Sequence, residues 1–132
     1  MDKRAQVEAV LTALDGRDFD ALAEMPFHPD MQLRSVVAAV EGGVFFGLQG
    51  LREWAENVDA TFDDFRVHLV ELREVSDDRA FVEVHNSGTA SGSSVPVDAP
   101  TYLVCTWRNG LMWRIDSYTD RDKALEAVGL SE

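Results

Sequence analysis

The amino-acid sequence predicts an α+β fold, a curved mixed or antiparallel sheet with helices packed on its concave face. Three observations carry that prediction. Apolar residues recur at helical spacing near the N-terminus and again over 47–61. Four successive segments of the C-terminal half alternate with a period of two. Finally, Tyr102–Thr119, YLVCTWRNGLMWRIDSYT, reads as two alternating strands joined at Asn109-Gly110 and running directly into a short helix, DRDKALEAVGL. A stripe on a helix and a face on a sheet each need a partner to bury against, and helices laid on one sheet face satisfy both.

Taken in order, residues 3–14 carry Val7, Val10, Leu11 and Leu14 as a helical stripe closed by Asp15-Gly16. Asp18 then caps a short second helix with Phe19, Leu22 and Ala23 inward, ended before Pro26. His28-Pro29-Asp30 reads as a turn into a strand, Met31–Val40, with Leu33, Ser35 and Val37 on one face and Gln32 and Arg34 on the other. Glu41-Gly42-Gly43 breaks that strand, and Val44-Phe45-Phe46 is a brief second one. From Gly47 to Thr61 a third helix presents Leu51, Trp54, Ala55 and Val58 at i, i+3, i+4 and i+7, with Phe62 continuing the stripe. A long strand, Phe65–Val75, turns at Asp77-Asp78 into Arg79–Asn86. The glycine- and serine-rich Ser87–Ser94 then predicts a flexible hairpin tip, a candidate flap over a cavity.

The hairpin register decides which side chains face the core. A two-residue Asn-Gly turn pairs Trp107 with Met112 and, by strict alternation, sets Cys105 beside Arg114. A three-residue loop, Arg108-Asn109-Gly110 with a bulge at Gly110, pairs Trp107 with Leu111 instead. The second register gathers Leu103, Cys105, Trp107, Leu111, Trp113 and Ile115 on one face, with Arg108, Arg114 and Asp116 opposite. Since a one-residue slip inverts a strand, hydrophobic matching favours the three-residue loop.

At 132 residues the chain is sized for one domain over 1–132, with an apolar content of 45% and a charged content of 27%. A net charge of −12 argues against nucleic acid or an anionic membrane as partner, because both require a basic footprint. One cysteine excludes an internal disulfide and fits a reducing cytoplasm. The N-terminal MDKRAQVEAV turns acidic before any apolar run of signal-peptide length, which also points to the cytoplasm. No cofactor is expected. The spacing of His28, His68 and His85 has no metal-ligand pattern.

The element order and its local signatures resemble the SnoaL-like branch of the NTF2-like superfamily. The residues that carry the resemblance are Asp18 opening the second helix, His28-Pro29-Asp30, Val44-Phe45-Phe46-Gly47 followed by Gly50-Leu51 and Trp54, and Phe62-Asp63-Asp64-Phe65. Ser91-Gly92, Arg108-Asn109-Gly110, Tyr118-Thr119-Asp120-Arg121 and the run Ala124–Leu130 complete it. The resemblance implies a cone-shaped sheet around a deep apolar pocket, and a homodimer built on the outer face of the sheet. Its members include polyketide cyclases, ketosteroid isomerases, limonene epoxide hydrolases and binding domains without chemistry, so the fold does not choose an activity. Where hydrolases of this kind hold a water with Tyr and Asn, this chain has Leu33 and Ser35, and where they place a basic Asp it has Ser117. The isomerase proton-shuttling Asp again falls at Ser35, and the helix-one Tyr at about Val10. Serine and aliphatic groups there do not supply a general base.

These residues lead to a small hydrophobic-ligand-binding domain. The expected pocket comprises Leu33, Ser35, Phe46, Trp54, Asn86 and Thr101, together with Leu103, Cys105, Trp107, Trp113, Ile115 and Ser117. An enzymatic alternative, a cofactor-independent cyclase, isomerase or hydrolase, would use Asp116, His85 or Glu83. Asp116 and Arg114 point outward in the chosen register. Glu83 and His85 share one strand face, and Ala80, Val82, Val84 and Asn86 the other; the apolar Phe81 on the first face keeps His85 a pocket candidate. The segment Gly88–Gly92 is not a nucleophile elbow, because serine is not its central residue. A third reading is an interaction module whose pocket is filled by its own side chains, dimerising through Tyr102, Val104, Thr106, Met112, Arg114 and Tyr118.

Overall fold

The computed structural model describes residues 2–35 and 43–129. Helices α1 (Lys3–Asp15) and α2 (Phe19–Ala23) precede strands β1 (Phe27–Arg34) and β2 (Val44–Phe46). Helix α3 (Gly47–Thr61), strands β3 (Phe62–Ser76), β4 (Arg79–Ala90), β5 (Pro96–Arg108) and β6 (Leu111–Tyr118), and helix α4 (Arg121–Ala127) follow. The strands form one curved, unclosed sheet in the order β2-β1-β6-β5-β4-β3. Every contact is antiparallel except β1 with β6, where Leu33 lies beside Ile115 and Arg34 beside Asp116.

Local chemistry sets the helix limits. Asp2, Asp18 and Asp120 each accept backbone N–H groups at the N-termini of α1, α2 and α4. The α3 stripe packs as expected, with Leu51, Trp54, Ala55 and Val58 buried. At Gly50 α3 comes so close to β2 that an added Cβ would lie 2.7 Å from the Phe45 carbonyl carbon, so only glycine fits. The α2 stripe is narrower than expected: Leu22 is buried, whereas Ala23 is exposed because five residues make little more than one turn.

Three strand boundaries change. His28-Pro29-Asp30 belongs to β1 rather than to a turn, and the β1–β6 register shifts between Phe27 and Gln32, an irregularity that accommodates a proline with no N–H to donate. The expected extension of that strand to Val40, with Val37 inward, and the Glu41-Gly42 break lie outside the described residues, as does the Leu130 end of the terminal helix. Strand β3 begins at Phe62, three residues early, with Asp64 at φ 51° marking its first irregularity. Strand β4 continues through Ser87–Ala90, so the loop is only the tip beyond Ala90. Ser91 pins that tip, donating its N–H to Thr61 O at 2.9 Å and its hydroxyl to Asp63 at 3.2 Å.

The β5–β6 hairpin is the main correction. Asn109 and Gly110 both have positive φ (55° and 78°), the requirement of a two-residue turn, and Arg108 pairs with Leu111 and Trp107 with Met112. The three-residue loop is therefore wrong. Alternation is rescued one step later: Thr106 pairs with Arg114 and Cys105 with Ile115, leaving Trp113 as the extra residue of a bulge. Met112 is consequently buried in the core, and Trp113 is turned toward Arg108, whose guanidinium lies 3.6 Å from the indole centroid.

Two hydrophobic clusters result. The larger fills the concave face between the sheet, α1, α2 and α3. The smaller lies on the opposite face, where Ala124, Leu125 and Val128 pack on Phe81 and Val104. The terminal helix thus covers the outer surface while the other three occupy the inner one.

Candidate ligand-binding site

The larger cluster is not filled to its centre. A cavity of about 50 Å³ remains between α1 and the inner face of the sheet. Helix α1 supplies one wall through Val7, Val10, Leu11 and Leu14, the residues of its stripe. Leu33, Ile115, Cys105 and Met112 form the facing apolar wall, and Leu103, Val84 and Val67 continue it across β5, β4 and β3. Trp54 closes the α3 side. The helix wall is held at both ends: Gln6 accepts the Trp107 indole N–H at 2.9 Å, and Asp15 accepts Val67 N at 2.8 Å while pairing with Arg66. The Arg66 hydrogen bonds keep the Asp15 carboxyl below its ordinary range, overcoming the opposing effect of its partial burial.

Four neutral polar side chains share the wall, each more than nine-tenths buried: Ser35, Asn86, Thr101 and Ser117. Ser35 Oγ accepts the Trp54 indole N–H at 3.0 Å, and Ser117 Oγ donates to Arg34 O at 2.9 Å. Asn86 donates to Thr101 Oγ1 and to Ala99 O. Buried polar groups need such partners, so these bonds hold the side chains in place. Cys105, at the sheet centre, is fully enclosed: burial, and next the Asp116 carboxylate behind it, push its thiol up to about 12. It remains a protonated, inert thiol at neutral pH.

Nine of the twelve residues expected at the pocket line this cavity: Leu33, Ser35, Trp54, Asn86, Thr101, Leu103, Cys105, Ile115 and Ser117. Three do not. Phe46 is 65% exposed on the outer side of β2, because Leu33 pairs with Phe45 and thus fixes Phe46 to the other face. Trp107 is buried beyond the cavity floor against Gln6, and Trp113 is displaced by the bulge. Met112 takes the place expected for Trp113, hidden from sequence reasoning by that same bulge. The α1 residues were legible as a stripe, but nothing local says which surface a stripe covers.

The enzymatic candidates lie elsewhere. Glu83 is bound by Arg121 at 2.8 Å on the outer face, and His85 pairs there with Asp98. Asp116 is held by Arg114 at 3.2 Å and Arg34 at 3.7 Å. Val10, Leu33, Ser35 and Ser117, the positions that resemble catalytic ones, do face the cavity. None of them can exchange a proton near neutral pH. Among the described residues the cavity wall has no carboxylate, imidazole or amine.

Solved structures share this architecture. A protein of ketosteroid isomerase-like fold from Catenulispora acidiphila, crystallised with trimethylamine, superposes with a TM-score of 0.72 at 20% identity, over 96% of this chain and 93% of its own. TerC, co-crystallised with polyporic acid, gives 0.73 at 20% identity over 94% and 95%. IdmH, a putative polyketide cyclase from Streptomyces antibioticus, gives 0.74 at 16% identity over 98% and 100%. These likenesses establish the NTF2-like fold. No curated protein matches the sequence. The family model of the SnoaL-like domain matches residues 7–115, and the chain belongs to that family.

Proposed function

We propose that the protein binds a small, predominantly apolar molecule in the cavity beneath α1. One observation carries the reading: an apolar cavity with a few fixed neutral polar groups and, among the described residues, no proton-transfer group in its wall. The titratable candidates for catalysis are occupied in ion pairs or hydrogen bonds on the far side of the sheet, which favours binding over a cyclase, isomerase or hydrolase activity. The neighbours' bound trimethylamine and polyporic acid, and the cyclase description of IdmH, are in keeping with a fold that encloses small molecules. Among the described residues no helix is long and apolar enough to cross a membrane. A reducing cytoplasm suits the single buried thiol.

The test is an NMR titration with toluene, followed through side-chain methyl resonances. Saturable shifts are expected at Val10, Leu11, Leu33, Leu103 and Ile115, and none at Val104 or Val128 on the outer face. Absence of any saturable inner-face shift would overturn the reading.

A second copy of the chain is proposed as partner of the outer face. Part of the expected dimer surface is already used: Val104 is buried under α4, and Met112 points inward. The remaining surface, over β2, β1 and β6, offers the exposed Phe46 and the half-buried Trp113 with the Arg108 and Arg114 guanidinium groups near its ring. Aromatic and arginine side chains of this kind are enriched in interfaces. A monomer by light scattering at micromolar concentration would overturn this assignment.

A further inference from the structure

The cavity has two unlike ends, and their placement follows from strand direction. Strand β1 runs parallel to β6, and β6, β5 and β4 alternate in direction. The C-terminal ends of β1, β6 and β4 and the N-terminal half of β5 therefore meet at one end of the sheet. Ser35, Ser117, Asn86 and Thr101 all sit there, one on each of four adjacent strands or at its end. Arg34 lies opposite Asp116, so the residues that follow, Ser35 and Ser117, emerge together on the inner face. Thr101 and Asn86 continue the band through their hydrogen bond. Cys105, Ile115 and Met112 lie toward the other end, where the described cavity lining is apolar. Helix α1 runs between the two, since Gln6 meets Trp107 at the apolar end and Asp15 meets Val67, the partner of Asn86, at the polar one.

Resting on the binding reading above, we infer that the ligand is an uncharged, one-ended amphiphile: a small apolar body carrying a single hydroxyl or carbonyl group. The polar group lies against the band of Ser35, Ser117, Thr101 and Asn86, and the apolar body points toward Cys105 and Met112. Hydroxyl and carboxamide groups can both give and receive hydrogen bonds. Thr101 Oγ1 accepts from Asn86 and carries a hydroxyl proton of its own. Among the described residues no group in the wall carries a charge to offset a carboxylate or an ammonium, and an unpaired charge is strongly disfavoured in such a site. The high thiol pKa of Cys105 is consistent with that environment. Size narrows the class further. An engineered apolar cavity of ~150 Å³ takes up benzene, whereas this one measures about 50 Å³. A single ring or short chain is therefore the largest ligand the site takes, and it requires the lining side chains to yield.

Four probes of one skeleton test the assignment: toluene, benzyl alcohol, benzoate and benzylammonium, titrated at neutral pH and read by the same methyl resonances. Benzyl alcohol is expected to bind about three- to tenfold more tightly than toluene, the worth of one net hydrogen bond. Both ions should bind at least about tenfold more weakly than the alcohol. Nuclear Overhauser contacts should place the ring near the Met112 methyl and the CH2OH group near the Thr101 methyl. In Thr101→Val, which keeps the shape, and in Ser117→Ala, the alcohol's advantage over toluene should shrink while toluene affinity stays within about twofold. Either variant suffices if the other does not fold. Benzoate or benzylammonium binding as tightly as the alcohol would overturn the neutral-amphiphile assignment but leave cavity binding intact. Ring contacts at the polar end, or an unchanged preference in both variants, would do the same. Failure of toluene and benzyl alcohol alike would overturn both.

Discussion

The two faces of the sheet solve opposite problems with the same strands. The inner face carries Ala80, Val82, Val84 and Asn86 of β4, and it encloses free space. The outer face carries Phe81, Glu83 and His85 from the same strand, and it is packed at one end by α4 and laced with ion pairs. Inside, polar groups are few, neutral and hydrogen-bonded to other neutral groups; outside, charged side chains pair with one another. Acid–base side chains and a cavity are therefore both present but on opposite sides, and only the cavity side resembles a binding site. What separates the cavity wall from the solvated surface here is a single backbone alternation.

The comparison breaks most severely at Phe81. It is fully buried between the sheet and α4, so Phe81→Ala should cost about 3–5 kcal/mol in urea unfolding. Toluene should still shift the inner-face methyls. Leu103→Ala, which enlarges an existing cavity rather than opening a new one, should cost less, about 2–3 kcal/mol. If the two losses come out in the reverse order, the outer cluster is not a second core.

Deleting Trp113 sharpens the same contrast. The bulge is one extra residue, so its removal leaves Trp107 opposite Met112 and Thr106 opposite Arg114, with inner and outer faces unchanged. The variant should fold and bind toluene. It should lose about 1–2 kcal/mol with the two arginine–indole contacts. In a three-residue-loop register the same deletion would turn Ile115 and Ser117 outward, and the protein would not fold.

Asp116→Ala removes a carboxylate shared by Arg34 and Arg114, for an expected loss of about 1 kcal/mol. His85→Ala should fall below that, since its pair is exposed, and Glu83→Gln, whose pair is half-buried, should cost about as much as Asp116→Ala. All three should leave toluene affinity unaltered, and a large change in any would return that residue to the site.

The smallest effect is in acid. Arg66 and Arg17 hold the Asp15 and Asp59 carboxyls below the ordinary 3.8. A folded-state value below the unfolded one means stability that is fully present above about pH 4 and lost as pH falls through the lowered value. The drop in Tm between pH 4 and pH 2 should be shallower in Asp59→Asn than in the wild type. An equal drop would show that the Arg17–Asp59 pair contributes nothing measurable.

Much of this molecule was legible in its sequence because the signals were local. The Asp18 cap, the α3 stripe, the strand alternation in β4 and β5, and the inward direction of Asn86, Thr101 and Cys105 depend on neighbours within a few residues. The resemblance to the SnoaL-like family carried the fold further, and the family match bears that out. Other features required partners distant in sequence. The α1 stripe became a cavity wall only because Gln6 and Asp15 anchor it to Trp107 and Val67. The α4 stripe found the outer face because Phe81 and Val104 leave an apolar surface there. Ser35 and Ser117 became neighbours through a parallel pairing of strands some 80 residues apart, marked by the Ser117–Arg34 bond. The bulge at Trp113 is the sharpest case. The Asn-Gly turn and the hydrophobic face each demanded a different register, and one unpaired residue satisfied both. Sequence alone determines periodicity and turn chemistry, because these act through adjacent backbone; which faces meet, and where space is left between them, is decided by long-range packing that minimises exposed apolar surface over the whole chain.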